Sequence, residues 1–244
     1  MKESRCPKCG EIIEPVPVVI TKSLRDRFRE FRQGRLSAIS AGKNPIELQE
    51  GPLTVLHLVP AGFFEDDRQI IDLESVKGAG RLTPLFSSGY NNGYSYDGYL
   101  TYDYEPPVRS YLQFLRKGRL ESVDAHMIGA NGDRKIIPSE SFEEGIVEAA
   151  KNYMSLFQSL DMDAPLFLSL SLLGVKGYCM PPTYRYLANA KPIVKSDLLP
   201  EEITLDSYDL EPLDFMKPIF DVIWNASGLY GSPHIKDGKW IKRT

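Results

Sequence analysis

Asp124 and His126 stand two residues apart in the run SVDAHMI, inside a stretch patterned as a β-strand. Period two places both side chains on one face, where a carboxylate and an imidazole can hold a metal or exchange protons with a substrate. Glu121 falls on the opposite face and cannot join them without a bulge. Asp97 and Asp103, on a tyrosine-rich stretch just upstream, come near if that stretch pairs alongside. Asp124 and His126 are thus the candidate catalytic residues of a metal-assisted hydrolase. The competing explanation is an ordinary antiparallel sheet, whose solvated face is commonly acidic.

Two further sets of residues carry chemistry. Cys6-Pro7-Lys8-Cys9-Gly10 has the form of a metal knuckle, with the glycine letting the backbone turn so that two thiolates converge. A structural zinc ion wants four ligands, and Cys179 is distant and alone. Zinc at Cys6 and Cys9 therefore calls for ligands from a second copy or another chain, and a knuckle without metal is the alternative. Arg25, Arg29 and Arg32 recur at i, i+4 and i+7 of a predicted helix, with Arg27 and Arg35 close by. The formal net charge is −4, so any nucleic-acid binding would fall to this local face. Asp26 and Glu30 dilute it, which equally fits a solvated amphipathic helix.

Other signatures are missing. There is no GxSxG elbow and no HExxH pair, and Gly78-Ala79-Gly80 does not complete a dinucleotide fingerprint. His57, inside the apolar run PLTVLHLVPAGFF, reads as a core histidine. The tyrosines of residues 94–104 offer a stacking surface for a flat ligand or single-stranded nucleic acid, but packing beneath a helix explains them better.

The elements that must position these residues follow from periodicity. Residues 23–41 read as a helix capped by Ser23 and stopped by Gly42. Residues 52–60 read as a buried strand, and 94–104 as an aromatic strand with tyrosines on its even positions. Residues 108–116 and 119–127 form a hairpin about Lys117-Gly118, with Leu112 opposite Val123 and Leu115 opposite Leu120. The longest helix covers about 139–160, with Ser141 and Glu144 matching a capping box. Residues 165–175 give a Leu/Ser strand, 181–211 an irregular acidic region, and 213–227 a closing helix interrupted by Pro218 and anchored by Trp224.

These elements predict an α+β fold in which an antiparallel sheet of about four to five strands is packed by the long amphipathic helix and flanked by N- and C-terminal helices. Residues 1–22 read as a short CxxC-containing appendage and residues 23–244 as one domain. No run reaches the ~20 apolar residues of a membrane span, and the N-terminus lacks the apolar core of a signal peptide. The expectation is a cytoplasmic protein without a membrane role.

From Phe31 onward the chain resembles the C-terminal region of bacterial proteins that carry an N-terminal Schlafen/AlbA-type domain. The matching words are FRQGRLSAISAG at 31–42, VLHLVP at 55–60, YDGYLTY at 96–102 and SYLQFLRKGRLESV at 110–123, then LFLSLSLLGVKGY at 166–178 and IWNASGLYGSP at 223–233. The likeness covers most of residues 25–240. The ATP-binding and DNA-binding labels of that family belong to the N-terminal domain, whose place before Arg25 is taken here by the CxxC segment. No Walker loop is present, so nucleotide binding is not carried over, and the resemblance supplies no catalytic residues.

The resemblance implies a non-catalytic interaction or ligand-sensing module of a bacterial regulatory or defence system. Its partner would be a separate Schlafen/AlbA-type protein or a second copy of itself. The alternatives are a nucleic-acid-binding protein using Arg25, Arg29 and Arg32, and a metal-assisted hydrolase using Asp124 and His126. No cofactor is implied beyond zinc at Cys6 and Cys9.

Overall fold

A computed structural model describes residues 22–65, 70–80, 82–89, 91–131, 134–183 and 190–241. Helix α1 (Lys22–Ser40) leads into strand β1 (Leu53–Pro60), the short helix α2 (Leu73–Gly78) and strands β2 (Asn91–Tyr94), β3 (Gly98–Tyr102), β4 (Ser110–Leu115) and β5 (Arg119–Asp124). A small hairpin, β6 (Gly129–Asn131) and β7 (Arg134–Ile136), precedes the long helix α3 (Ser139–Ser159) and strand β8 (Leu166–Leu173). Strand β9 (Ile203–Leu205), helix α4 (Pro212–Ala226) and the hairpin β10 (Ile235–Lys236) and β11 (Lys239–Trp240) complete the order.

Among the described residues, seven strands make one antiparallel sheet in the order β2-β3-β4-β5-β1-β8-β9. The α+β class is as expected, but four to five strands is an undercount. One extra strand comes from the tyrosine-rich stretch, which is two strands rather than one. Ser95 reverses the chain there, its N–H and hydroxyl donating to Gly98 O while its Oγ accepts from Gly98 N–H. Gly98 has to be glycine, because a Cβ at that position would lie 2.0 Å from Phe114 O on β4. The other extra strand, β9, lies in the region expected to be irregular and pairs with β8.

The β4–β5 hairpin forms where expected, one residue out of the expected register. Tyr111 lies opposite Val123, Leu112 opposite Ser122 and Leu115 opposite Arg119. The connection is a three-residue turn, Arg116-Lys117-Gly118, with Gly118 at φ 65° and its N–H on Leu115 O. A turn followed by a left-handed glycine adds one residue to the simplest hairpin, and the added residue shifts the pairing.

Both sheet faces are covered, which is why β1 and β8 read as nearly continuous apolar runs. On one face α1 packs Leu36 and Ile39 against Val55, Tyr111, Val123 and Leu173, and Phe28 against Phe64 and Phe167. On the other, α3 and α4 cover Leu56, Leu58, Leu120, Leu168 and Leu170 with Phe142, Ile146, Phe157, Phe220 and Trp224. The tyrosines do not form one stripe under α3. Tyr99 is buried, whereas Tyr94, Tyr96 and Tyr104 are exposed, because the turn at Ser95 breaks the alternation.

Helix ends differ in detail. α1 begins at Lys22, so Ser23 lies inside it. α3 begins at Ser139 after Pro138 with no side-chain cap, so the expected Ser141–Glu144 box does not form. α4 runs through Pro218, with Pro212 at its first turn. Trp224 is fully buried as expected, and its Nε1–H donates to Glu143 Oε1 at 2.6 Å.

Candidate functional site

A cleft of about 370 Å³ opens where the ends of β3, β4 and β5 meet α3. Asp103 and Asp124 lie in it, 4 % and 2 % exposed. Asp103 follows β3 and lies beside Ser110, to whose carbonyl its own N–H donates, while Ser110 is paired with Asp124 across β4–β5. The two carboxylates therefore approach from strands that flank β4. Each closes a turn with one oxygen. Asp103 Oδ1 accepts from the N–H groups of Arg109 and Ser110, both at 3.0 Å, and Asp124 Oδ2 accepts from those of His126 at 3.1 Å and Met127 at 2.8 Å. Asp103 Oδ2 and Asp124 Oδ1 accept no hydrogen bond from any described residue.

Asp124 and His126 do meet in one concave site, by a route other than shared strand alternation. β5 ends at Asp124, because that carboxylate takes the N–H groups that a continuing strand would need for pairing. His126 lies in the turn beyond, exposed at the rim. Asp103 joins the pair, whereas Asp97 sits in the β2–β3 turn away from the cleft.

The walls come from three other segments. Glu148 and Asn152 stand on α3, and Arg109 lies over the Tyr104 ring at 4.8 Å. The stretch 83–88 closes the remaining side. Leu85 holds it to the sheet, its N–H donating to Ser122 Oγ and its O accepting from Ser110 Oγ, and Tyr153 adds a hydroxyl bond to Thr83 O. The Phe86 ring then seats against Gly145 of α3, where a Cβ would come within 2.4 Å of it.

Burial and neighbouring charge tune the acids. Asp124 is pushed up to about 7, first by burial and then by the nearby Asp103 carboxylate, while the N–H groups of Met127 and His126 pull it the other way. A carboxyl group in this range is close to half protonated at neutral pH and can act as hydrogen-bond donor or acceptor.

On the opposite sheet face Glu121 stands apart from Asp124, as alternation predicts. It is fully buried and receives Arg35 Nε at 2.7 Å and Nη2 at 2.8 Å, the Tyr111 hydroxyl at 2.9 Å and His57 Nε2 at 3.1 Å. Burial, the largest single influence, raises its pKa, but the hydrogen bonds and charge attraction of Arg35 and His57 together outweigh it and hold the group at about 2. His57 is a core histidine as expected, although only in part satisfied. Its Nδ1 is buried without a hydrogen-bond partner.

The arginines of α1 form the expected solvated face only in part, with Arg25 and Arg29 exposed and Arg32 buried. Arg32 is 8 % exposed and donates to Leu170 O at 3.0 Å, Ser171 Oγ at 2.9 Å and Pro200 O at 2.8 Å. Arg29 pairs with Glu202, and Arg25 reaches both Glu202 and Thr204 Oγ1. The segment preceding and including β9, irregular by its sequence, helps bury Arg32 through Pro200 O and supplies the Glu202 carboxylate that pairs with Arg25 and Arg29.

Cys6 and Cys9 lie outside the described residues. Among the described residues, no group of three or more His, Cys, Asp or Glu side chains is placed to hold a metal ion, so Asp103, Asp124 and His126 make no such group. No described helix is long and apolar enough to cross a membrane. The chain matches no family model and no curated protein.

Arg109, Glu148 and Asn152 were not singled out from sequence. The one local hint was Gly145. A glycine inside a strongly amphipathic helix marks a close approach, and here it lets Phe86 bring the loop wall against α3.

Proposed function

We propose that the chain is a non-catalytic ligand-sensing module whose cleft between α3 and the sheet takes a small polar molecule. What supports this most is the pair Asp103 and Asp124. Both are deeply buried and oriented by backbone N–H groups, and each keeps one oxygen for the cleft. Each free oxygen opens onto the cleft and so offers an oriented acceptor to a ligand or to water. The resemblance to Schlafen/AlbA-associated proteins supports a cytoplasmic role in a bacterial regulatory or defence system. A separate Schlafen/AlbA-type protein, or a second copy of this chain, would receive the signal.

The test is amide-resolved NMR with a panel of monosaccharides, nucleosides, amino acids and primary amines. A binder should move resonances of residues 103–110, 124–127 and 145–152 in the unmodified chain and need a higher concentration to do so in Asp124→Asn. If no compound moves them, the cleft is not a ligand site.

One observation favours a second reading, an acid–base hydrolase. Asp124 titrates near 7 beside a second carboxylate, the arrangement that lets one group give a proton while the other takes one. For a metal-assisted form, the described residues hold no group of three or more metal-ligating side chains. Hydrolysis of a chromogenic ester or glycoside, lost in Asp124→Asn, would establish it. Nucleic-acid binding through Arg25, Arg29 and Arg32 would require α1 to exchange Glu202 and Thr204 for phosphates. Unretarded DNA and RNA at low salt would close that route.

A further inference from the structure

Charges of both signs remain uncommitted in the cleft. The Arg109 backbone is fixed on both sides, its N–H on Asp103 Oδ1 at 3.0 Å and its carbonyl receiving the Ala125 N–H at 2.8 Å. Its guanidinium lies over the Tyr104 ring and forms no ion pair with any described residue. Stacking in this way uses the face of the guanidinium and leaves its in-plane N–H donors for a carboxylate. Tyr104 is held at φ 47°, an unusual conformation for a tyrosine, and so presents its ring beside the cleft. Asp103 Oδ2 and Asp124 Oδ1 wait in the same space without a donor, and Glu148 adds acidity from α3.

A purely cationic ligand would suit the carboxylates and leave Arg109 facing a like charge. A purely anionic one would suit Arg109 and meet the acids Asp103, Asp124 and Glu148. A neutral polyol would leave the guanidinium without a charged partner in a partly desolvated site. Only a molecule carrying both charges answers both sides. We propose that the cleft is a zwitterion site that takes a free amino acid, its ammonium on Asp103 and Asp124 and its carboxylate on Arg109. The volume of about 370 Å³ agrees, since it lies at the low end of the roughly 300–1,000 Å³ of small-molecule pockets and suits one amino acid better than a peptide or a dinucleotide.

The inference rests on the cleft being a ligand site, and the experiment separates the two claims. The twenty common amino acids are titrated into the full chain by NMR and calorimetry. Each binder is then compared with its methyl ester, which lacks the carboxylate, and its N-acetyl derivative, which lacks the ammonium. Each derivative should bind about tenfold more weakly or worse, as expected for a lost charge-assisted hydrogen bond. Arg109→Gln should bind the parent and the ester equally. Asp124→Asn, which keeps an acceptor for the turn N–H groups, should narrow the gap between the parent and the N-acetyl derivative, with Asp103 alone left to hold the ammonium.

An ester or N-acetyl derivative as tight as its parent overturns the zwitterion assignment, and this comparison needs no variant to fold. Binding by sugars or nucleosides with none by amino acids also overturns it, while leaving the cleft a ligand site. Unmoved cleft resonances with every compound defeat both claims.

Discussion

Asp103 and Asp124 reach one cleft from either side of β4, each with one oxygen tied to backbone N–H groups and the other without a partner among the described residues. The tied oxygens fix where the free ones sit. A surface carboxylate wanders among rotamers, whereas these two are preorganised by the turns they close. Positions of this kind can serve recognition or proton transfer, and they also leave a thermodynamic signature.

That signature is a loss of stability as pH rises from about 4 to about 7. Asp124 and Glu143 both sit near 7 in the fold, chiefly through burial, above their ordinary values of 3.8 and 4.5. Between those limits the folded chain binds more protons than the unfolded one, so their stabilisation is full below about 4 and gone above about 7. Asp103, Arg109, His126 and Glu148 face Asp124 in the cleft. Thermal melts across this window should show a decline of roughly 2–4 kcal/mol per group at most. Asp124→Asn should flatten the curve, and an unchanged slope in that variant contradicts the assignment.

Glu121 acts with the opposite sign at lower pH. Held at about 2, it contributes stability that is present above its ordinary 4.5 and lost as pH falls towards 2. Arg35→Ala leaves this fully buried carboxylate without its guanidinium and should cost about 2–4 kcal/mol in urea unfolding at pH 7. Arg29→Ala, whose side chain is 47 % exposed, should shift the midpoint far less.

Gly98→Ala should be among the most damaging single-methyl changes in the sheet. The added carbon meets backbone on β4 rather than a side chain that can swing away, so the β3–β4 pairing has to open. A cost of about 2–4 kcal/mol is expected, together with faster amide exchange through residues 91–102. Protection equal to that of the unmodified chain would show that the strands do not approach so closely.

Gly145→Ala probes the cleft wall. Alanine favours the helix by up to ~1 kcal/mol, yet its Cβ displaces the Phe86 ring. Chemical-shift changes should gather in residues 83–88. Phe86→Ala should make the second substitution stabilising, so the double-mutant cycle carries a coupling of about 1 kcal/mol or more. Additive effects would mean that ring and helix do not touch.

Long periodic segments were legible from sequence because periodicity reports burial directly. α1, β1, α3, β8 and α4 lie within a few residues of expectation, and Trp224 is the buried anchor foreseen. Short segments defied the same logic. One residue in the Arg116–Gly118 turn shifted the hairpin register, and a serine-held reversal at Ser95 divided an alternation that looked continuous. β9, three residues long, carries too little pattern to stand out from its acidic surroundings.

The candidate site was half legible. The alternation that marks Asp124 and His126 in the sequence ends at Asp124, and the two converge because of a turn instead. Asp103 was conditional on pairing that did occur. Arg109 owes its place to contacts with Asp103, Tyr104 and Ala125, which no local spacing announces. The arginines of α1 look free in the sequence because their hydrogen-bond partners lie some 170 residues away.

Strand β5 carries Glu121 towards α1 and Asp124 into the cleft, three residues apart on opposite faces. One side is gripped by the Arg35 guanidinium and the other is open to a ligand. The strand is bonded along both edges, to β4 and to β1, so the spacing between the two carboxylates is set by the middle of the sheet rather than by either surface.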